Sequence, residues 1–123
     1  LSSAAQMCKE TANPSSYFQI VSENEVLVKP DIYEITLSGL ITGTDDEHGG
    51  LLFTTQNNSE IKALSFYFPH GSDKYAQFYQ TTLLRFENDT KLSVNALILE
   101  DNNLSNVEFS NVNLMLKRIL GNM

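Results

Sequence analysis

The feature of this sequence that most constrains its fold is a succession of short alternating segments from residue 17 onward, each ended by Asn, Asp, Gly or Ser. In residues 31–43, Tyr33, Ile35, Leu37, Gly39 and Ile41 alternate with Glu, Thr and Ser, a period of two that buries one face of a strand. No segment between these runs has the helical periodicity over about 10 to 12 residues that a helix needs. We therefore expect an all-β, antiparallel sandwich or barrel. About nine strands are predicted, at residues 17–21, 25–28, 31–43, 51–55, 60–68, 75–86, 90–99, 107–110 and 112–119.

Length and composition fit one domain. The 123 residues are too few for two domains of the usual size, and a hydrophobic content of 41% is enough for a core. No apolar run approaches the ~20 residues of a membrane helix, so we expect a soluble domain without membrane insertion. Residues 17–123 are assigned to this domain, and residues 1–16 to an N-terminal leader or the end of a stalk.

Charge and cysteine content limit the classes of partner, disulfide and metal site that this chain can have. Eight Lys and Arg stand against 15 Asp and Glu, a net charge of -7, which disfavours nucleic acid because phosphate binding needs clustered basic residues. Cys8 is the only cysteine, so neither an intrachain disulfide nor a cysteine-based zinc site can form within one chain. Pairing of Cys8 between subunits and an unpaired Cys8 both remain open.

The segment GTDDEHGG is the strongest candidate for a cation or ligand loop. Asp45, Asp46 and Glu47 offer carboxylate oxygens to a hard cation such as Ca²⁺, and His48 could act as a further ligand or an acid-base group. Consecutive residues of a turn cannot all converge on one ion, and the alternating spacing of a calcium loop is absent. Acidic residues between glycines are also typical of a solvated hairpin tip, which is the interpretation we favour.

Neither catalysis nor a bound cofactor is indicated. His70 lies in a second loop beside Pro69, and the chain has no nucleophile elbow and no glycine loop of the phosphate-binding type. Asn-x-Ser/Thr sequences begin at Asn57, Asn88 and Asn103, but composition alone produces about two such matches, so we treat them as chance. We expect a protein that is not an enzyme.

Alternation also predicts which apolar residues lie outside the core. On residues 75–86, a core face of Phe78, Leu84 and Phe86 leaves a second face, and on 112–119 a core face of Val112, Leu114 and Leu116 does the same. Apolar residues on a second face need a cover, which a homo-oligomer interface or a local bulge into the core could supply. The candidate interface residues are Tyr75, Tyr79, Leu83, Met115 and Ile119. Leu97 and Leu99 raise the same question, and there we expect a loop or a neighbouring edge to cover them.

Three segments resemble the jelly-roll domains of the tumour necrosis factor and complement head family, and most of all the C-terminal heads of bacterial collagen-like spore-surface proteins. Residues 26–43, VLVKPDIYEITLSGLITG, are similar to an early strand pattern of that family. Residues 81–97, TTLLRFENDTKLSVNAL, resemble its late hairpin, and 111–119, NVNLMLKRI, its last strand.

The resemblance implies a two-sheet jelly roll that trimerises about a threefold axis and presents binding loops at one end. The sequence-based hypothesis is therefore a non-enzymatic homotrimeric head, extracellular or surface-exposed on a spore, cell or virion, that acts in assembly and in recognition of a glycan or protein ligand. One alternative is a monomeric carbohydrate-binding sandwich that uses Tyr67, Tyr75 or Tyr79 as a sugar platform. The other is a viral or phage fibre or capsid domain.

Overall fold

The computed structural model describes residues 17–43, 49–69, 75–99 and 107–119, and these ranges contain eight β-strands and no helix. The predicted all-β class is therefore confirmed. In chain order the strands are β1 (Phe18–Ser22), β2 (Glu25–Val28), β3 (Asp31–Thr42), β4 (Gly49–Gln56), β5 (Ser59–Phe68), β6 (Tyr75–Phe86), β7 (Thr90–Leu99) and β8 (Glu108–Arg118).

The strands form two antiparallel sheets. Sheet 1 has five strands in the order β1-β2-β7-β4-β5, and sheet 2 has three in the order β6-β3-β8. In sheet 2 the central strand β3 pairs along its whole length with β6, from Asp31 opposite Phe86 to Thr42 opposite Tyr75. Two antiparallel sheets that enclose one core are the arrangement of a β-sandwich.

The core lies between the inner faces of the two sheets because apolar residues occupy alternate positions on both. Tyr33, Ile35 and Leu37 on β3 have no exposed surface, and the positions between them point to the opposite side of sheet 2. The buried apolar side chains of sheet 1 and the loop before β8 are Val26, Val28, Leu52, Ile61, Leu64, Leu92, Val94, Ala96 and Val107, and those of sheet 2 are Tyr33, Ile35, Leu37, Ile41, Phe78, Phe86, Phe109, Val112 and Leu114.

At two glycine positions of this core, an added side chain would crowd a phenylalanine ring. A Cβ atom added at Gly39 would lie 2.7 Å from Cζ of Phe78 and 3.2 Å from the carbonyl oxygen of Ser110. A Cβ at Gly50 would lie 3.0 Å from Cζ of Phe109. The two glycines therefore make room for the phenylalanine rings, which form a cluster in which Phe66 and Phe78 have ring centroids 4.8 Å apart.

Asparagine residues shape the chain at two points. Asn57 and Asn58 have φ values of 47° and 71° and connect β4 to β5 in a two-residue turn, as the type I′ geometry requires. The turn is fixed to β7, since Asn57 Oδ1 accepts a hydrogen bond from the backbone N–H of Lys91 at 2.9 Å. Asn111, with φ of 51°, lies in a bulge where the register of β8 against β3 shifts.

Two predicted boundaries were wrong. The segments 107–110 and 112–119 form the single strand β8, because the bulge at Asn111 keeps both parts paired with β3. Strand β4 begins at Gly49 rather than at residue 51, since Gly49 and Gly50 pair with β7 instead of belonging to the loop. Glycine was interpreted as a strand end, but here it permits close packing inside a strand.

Candidate functional site

The outward surface of sheet 2, which we call the sheet 2 face, carries the five residues predicted for an interface. Tyr75, Tyr79 and Leu83 lie on β6, Met115 lies on β8, and Ile119 directly follows β8. Their exposed fractions range from 37% for Ile119 to 69% for Tyr79. The alternation on both strands was therefore interpreted correctly, and the bulge in β8 does not turn Met115 or Ile119 into the core.

Backbone pairing fixes how these side chains are arranged across the sheet. Tyr79 lies opposite Ser38, and Leu83 lies opposite Glu34. On the other side of β3, Met115 lies opposite Thr36. The outer strands therefore form two apolar ridges, in which polar residues such as Gln77 and Lys117 alternate with the apolar ones, on either side of a mainly polar floor on β3.

The floor of this face is closed by a pair of threonines. Thr36 and Thr81 face each other on β3 and β6, and their Oγ1 atoms are 2.9 Å apart, in hydrogen-bond contact. Thr36 points outward but is only 6% exposed. Because the two hydroxyl groups satisfy each other, this part of the surface can meet another apolar surface without leaving an unpaired polar group.

Charged groups on the sheet 2 face lie at both of its ends: Glu108 is exposed opposite Thr42 at the Tyr75 end, and three more lie near Leu83. Glu34 is half-buried, and its neighbour across the strands on β8 is the exposed Lys117. Arg85 is exposed and pairs with Ile32, and Ile119 donates a backbone hydrogen bond to the carbonyl oxygen of Ile32 at 2.9 Å. The middle of the face, around Ser38 and Tyr79, carries no charged side chain.

The outward surface of sheet 1 carries one smaller apolar area. Tyr67 on β5 pairs with Leu51 on β4, which pairs with Leu97 on β7, so the three side chains form one row across three strands. Phe53 and Asn95 pair in the next row. We call these five residues the Tyr67 patch.

The exposure of this patch corrects one expectation. Leu97 was expected to be covered, but it is 41% exposed, and Tyr67 beside it in the row is 64% exposed. No described strand or loop lies over them. The side chain of Leu99 is outside the description, so its cover is untested.

Beyond the patch, sheet 1 presents polar groups that bind one another. Glu25 Oε2 accepts a hydrogen bond from Ser93 Oγ at 3.2 Å and lies 3.8 Å from Lys91 Nζ. These contacts cross from β2 to β7. At this part of its outer surface, sheet 1 is therefore covered by polar side chains that bind one another, as Thr36 and Thr81 do on sheet 2.

An ion pair at one end of the sandwich joins the beginning and the end of the described chain. Arg118 Nε donates to Asp31 Oδ2 at 2.9 Å, and its guanidinium carbon lies 3.7 Å from the ring centroid of Tyr17. Tyr17 is linked in turn to the next strand connection, because its carbonyl oxygen accepts a hydrogen bond from the N–H of Lys29. We call Arg118, Asp31 and Tyr17 the end clamp.

The end clamp shifts two pKa values. The pKa of Asp31 is lowered from its ordinary 3.8, chiefly because the backbone N–H of Ile32 donates to Oδ1 at 2.7 Å. Partial burial raises the pKa, and the hydrogen bond and charge of Arg118 lower it further. Burial, reinforced by the charge of Asp31, raises the pKa of Tyr33 to about 12. The Tyr33 hydroxyl donates to the Lys29 carbonyl oxygen at 2.6 Å. These groups are structural, since they lie at the end of the core and are engaged with each other.

Several predicted residues lie outside the described ranges. They are Cys8, the candidate loop residues Asp45, Asp46, Glu47 and His48, and also His70 and Asn103.

Within residues 17–43, 49–69, 75–99 and 107–119, no group of three or more His, Cys, Asp or Glu side chains is placed to hold a metal ion. The same part of the chain contains no helix that is long and apolar enough to cross a membrane. Two of the three Asn-x-Ser/Thr sites, Asn57 and Asn88, are exposed in turns.

Sequence reasoning missed the end clamp and saw only part of the Tyr67 patch. Arg118 and Asp31 are 87 positions apart, and the only signal was that each stands at the end of a predicted strand. The Tyr67 patch depends on the register of three strands, which no single strand pattern contains.

Comparison with known proteins identifies no relative of this chain. No family model, no curated protein and no solved structure matches it significantly.

Proposed function

We propose that this chain is a non-enzymatic head domain of the jelly-roll class that assembles as a homotrimer and acts in surface recognition. The observation that carries the proposal is the sheet 2 face, where Tyr75, Tyr79, Leu83, Met115 and Ile119 are exposed together on one side of one sheet. Several large apolar side chains exposed on one face of a folded domain are typical of a protein–protein interface.

The order of strand pairing supports the jelly-roll class. Strands β4 and β5, β3 and β6, and β2 and β7 form three nested antiparallel pairs, and successive pairs alternate between sheet 1 and sheet 2. A long antiparallel hairpin rolled into two sheets produces this nesting, as in jelly rolls built from Greek keys. The resemblance of residues 26–43, 81–97 and 111–119 to trimeric heads is independent support.

The dimensions of the sheet 2 face suit an interface between subunits. Three strands about 4.8 Å apart and about 11 residues long, at ~3.3 Å per residue, cover an area of roughly 40 Å by 15 Å. With side chains included, that is near the ~800 Å² per partner of a standard interface. In a closed ring of three copies, each subunit offers one part of its surface to the next, and the apolar ridges come to lie near the axis.

Recognition by such a head would act through multivalency. Three weak sites on one rigid body can raise the apparent affinity by orders of magnitude without any new contact at each site. An extracellular or surface location on a spore, cell or virion belongs to this proposal, as does the absence of nucleic acid and of a cofactor among its partners.

The mass of the protein in solution tests the proposal. We expect light scattering at several concentrations, with reductant present to keep Cys8 from forming a disulfide, to give three times 13.8 kDa. A mass of one or two chains throughout the micromolar range would contradict the proposed trimer.

A second candidate function is a monomeric carbohydrate-binding module. It is favoured by Tyr75 and Tyr79, which are exposed four positions apart on β6, about 13 Å along the strand. If the chain is a monomer, these rings are free to bind sugars. Binding of an oligosaccharide that is lost in Tyr79→Ala, with fold and mass unchanged, would support this function.

A further inference from the structure

The Tyr67 patch lies on the side of the sandwich opposite the sheet 2 face. Tyr67, Leu51 and Leu97 belong to sheet 1, and their side chains point away from the core that the two sheets share. A trimer built through the sheet 2 face would leave this side of every subunit facing the solvent. The patch is therefore accessible in the monomer and in the proposed trimer alike.

The chemistry of the patch favours an uncharged ligand. The chain has a net charge of -7, yet none of the five patch residues is charged. The polar groups present are the hydroxyl group of Tyr67 and the side-chain amide of the half-buried Asn95, each of which can donate and accept hydrogen bonds. A ring with an apolar face and neutral hydroxyl groups matches this combination of surface and polar groups.

The size of the patch disfavours a folded protein as the ligand. One exposed tyrosine, one exposed leucine and three half-buried neighbours present roughly 200–300 Å² of surface. A stable protein–protein interface needs about 800 Å² on each partner. The row of three strands spans about 10 Å, and the next row lies ~7 Å further along the strands, which is the scale of one or two sugar rings.

We propose that the Tyr67 patch binds a neutral polysaccharide, with one sugar ring against the face of Tyr67 and its hydroxyl groups within reach of Asn95. Each site is weak because the surface is small and flat. A polysaccharide repeats the same unit along its chain, so several patches on one head can engage it at once. The inference rests on the proposed trimer only for this gain in avidity, not for the site itself.

Affinity electrophoresis in native gels that contain dextran, mannan or galactan tests the proposal. We expect at least one of these neutral polysaccharides to retard the protein, and Tyr67→Ala to weaken the retardation at least tenfold. Tyr67→Phe keeps the ring and should stay within about threefold of the unsubstituted protein. Tyr79→Ala removes an equally exposed tyrosine from the opposite face and could alter retardation through the proposed assembly, so the comparison with it is made on short fragments.

Fragments of the retarding polysaccharide, about four sugars long, separate the site from avidity because they are too short to bridge subunits. Their affinity by calorimetry should fall in Tyr67→Ala and remain in Tyr79→Ala. The proposal is overturned if no neutral polysaccharide retards the protein, if Tyr67→Ala binds normally, if only Tyr79→Ala loses binding, or if Tyr67 is needed only for a protein ligand. The mass of each sample is measured in parallel, so a monomer that still binds through Tyr67 would reject the trimer and keep this site.

Discussion

The two outer faces of the sandwich differ in how many large apolar side chains they expose. On sheet 1, Glu25 contacts both Lys91 and Ser93 across neighbouring strands, and the exposed large apolar residues of the described ranges are Tyr67, Leu97 and, on β1, Val21. On sheet 2, five large apolar side chains stand on both outer strands along the length of the sheet. The same strand alternation thus produces two outer faces that differ in the number of large apolar side chains they expose.

Strand alternation alone does not determine whether an outward-pointing residue belongs to a small patch or to a large exposed face. Tyr67 and Tyr79 have similar exposure, 64% and 69%, but Tyr67 belongs to a small patch and Tyr79 to a larger face that carries five exposed apolar residues among polar ones. Only the strand order and register distinguish the two environments. Substitutions on each face therefore test the proposed assembly surface and the proposed ligand site separately.

The largest expected effect is on the oligomeric state. We expect Met115→Arg to convert a trimer into a monomer, because it places a charge on an apolar ridge of the sheet 2 face. The change in mass by light scattering is threefold. Tyr67→Arg is the matched control on the opposite face and should keep the mass of the unsubstituted protein. Dissociation by Tyr67→Arg instead would assign the assembly surface to sheet 1.

The inner side of sheet 2 should respond to added volume. We expect Gly39→Ala to lower the free energy of unfolding by about 1–3 kcal/mol, since the new methyl group meets Phe78 and the Ser110 carbonyl oxygen. Urea denaturation at a concentration where both proteins have the same mass measures this. The adjacent outward Ser38→Ala should change stability by about 0.5 kcal/mol or less. Equal stability of Gly39→Ala and the original protein would show that Phe78 moves aside without cost.

The inner side of sheet 1 should respond to removal of a hydroxyl group. Thr54 is fully buried, and its Oγ1 has no hydrogen-bond partner in the described part of the chain. We expect Thr54→Val to raise the free energy of unfolding by about 1 kcal/mol, because the unpaired hydroxyl is replaced by a methyl group. Thr55→Val, on the outward side of the same strand, is the control. A loss of stability in Thr54→Val would mean that the hydroxyl is satisfied.

Substitution of Asp31 in the end clamp should change the free energy of unfolding less than the core substitutions do, and by an amount that depends on pH. The folded pKa of Asp31 lies below its ordinary 3.8, so its stabilising contribution is complete above that pH and is lost as the pH falls through the lowered value. We therefore expect Asp31→Asn to be less stable than the original protein at pH 7, with the difference shrinking in acid. Denaturation midpoints measured from pH 7 to below pH 3 would reveal it. A difference that is constant over this range would show that the charge of Asp31 does not matter.

The sequence alone predicted features that depend on one strand or one turn, such as which residues of a strand face the core. The faces of β6 could be assigned because Phe78 and Phe86 alternate cleanly with exposed residues, and the turn at Asn57 follows from a residue type that tolerates positive φ. The two ends of β8 were predicted to within one residue, but Asn111 was taken as a break because a bulge and a turn use the same residue types.

The remaining features depend on pairs of distant strands. Leu97 is exposed because its neighbours in the row, Leu51 and Tyr67, do not cover it, and this follows from register rather than from β7 itself. The contact of Arg118 with Asp31 and Tyr17 likewise appears only when both ends of the described chain are placed together. The candidate faces could be predicted in part, whereas the separation of Tyr67 from Tyr75 and Tyr79 on opposite sheets could not.

The pairing of β3 has a consequence for synthesis on the ribosome. This strand is the centre of sheet 2, but both of its neighbours are made late, since Asp31 pairs with Phe86 and Tyr33 with Arg118. A nascent chain that ends before β8 would therefore expose one edge of the central strand of sheet 2, and native pairing must wait until residue 118 has left the exit tunnel. Such a chain depends on delayed folding, and a partner that shields β3 during translation would protect it from pairing with the same strand of a neighbouring nascent chain.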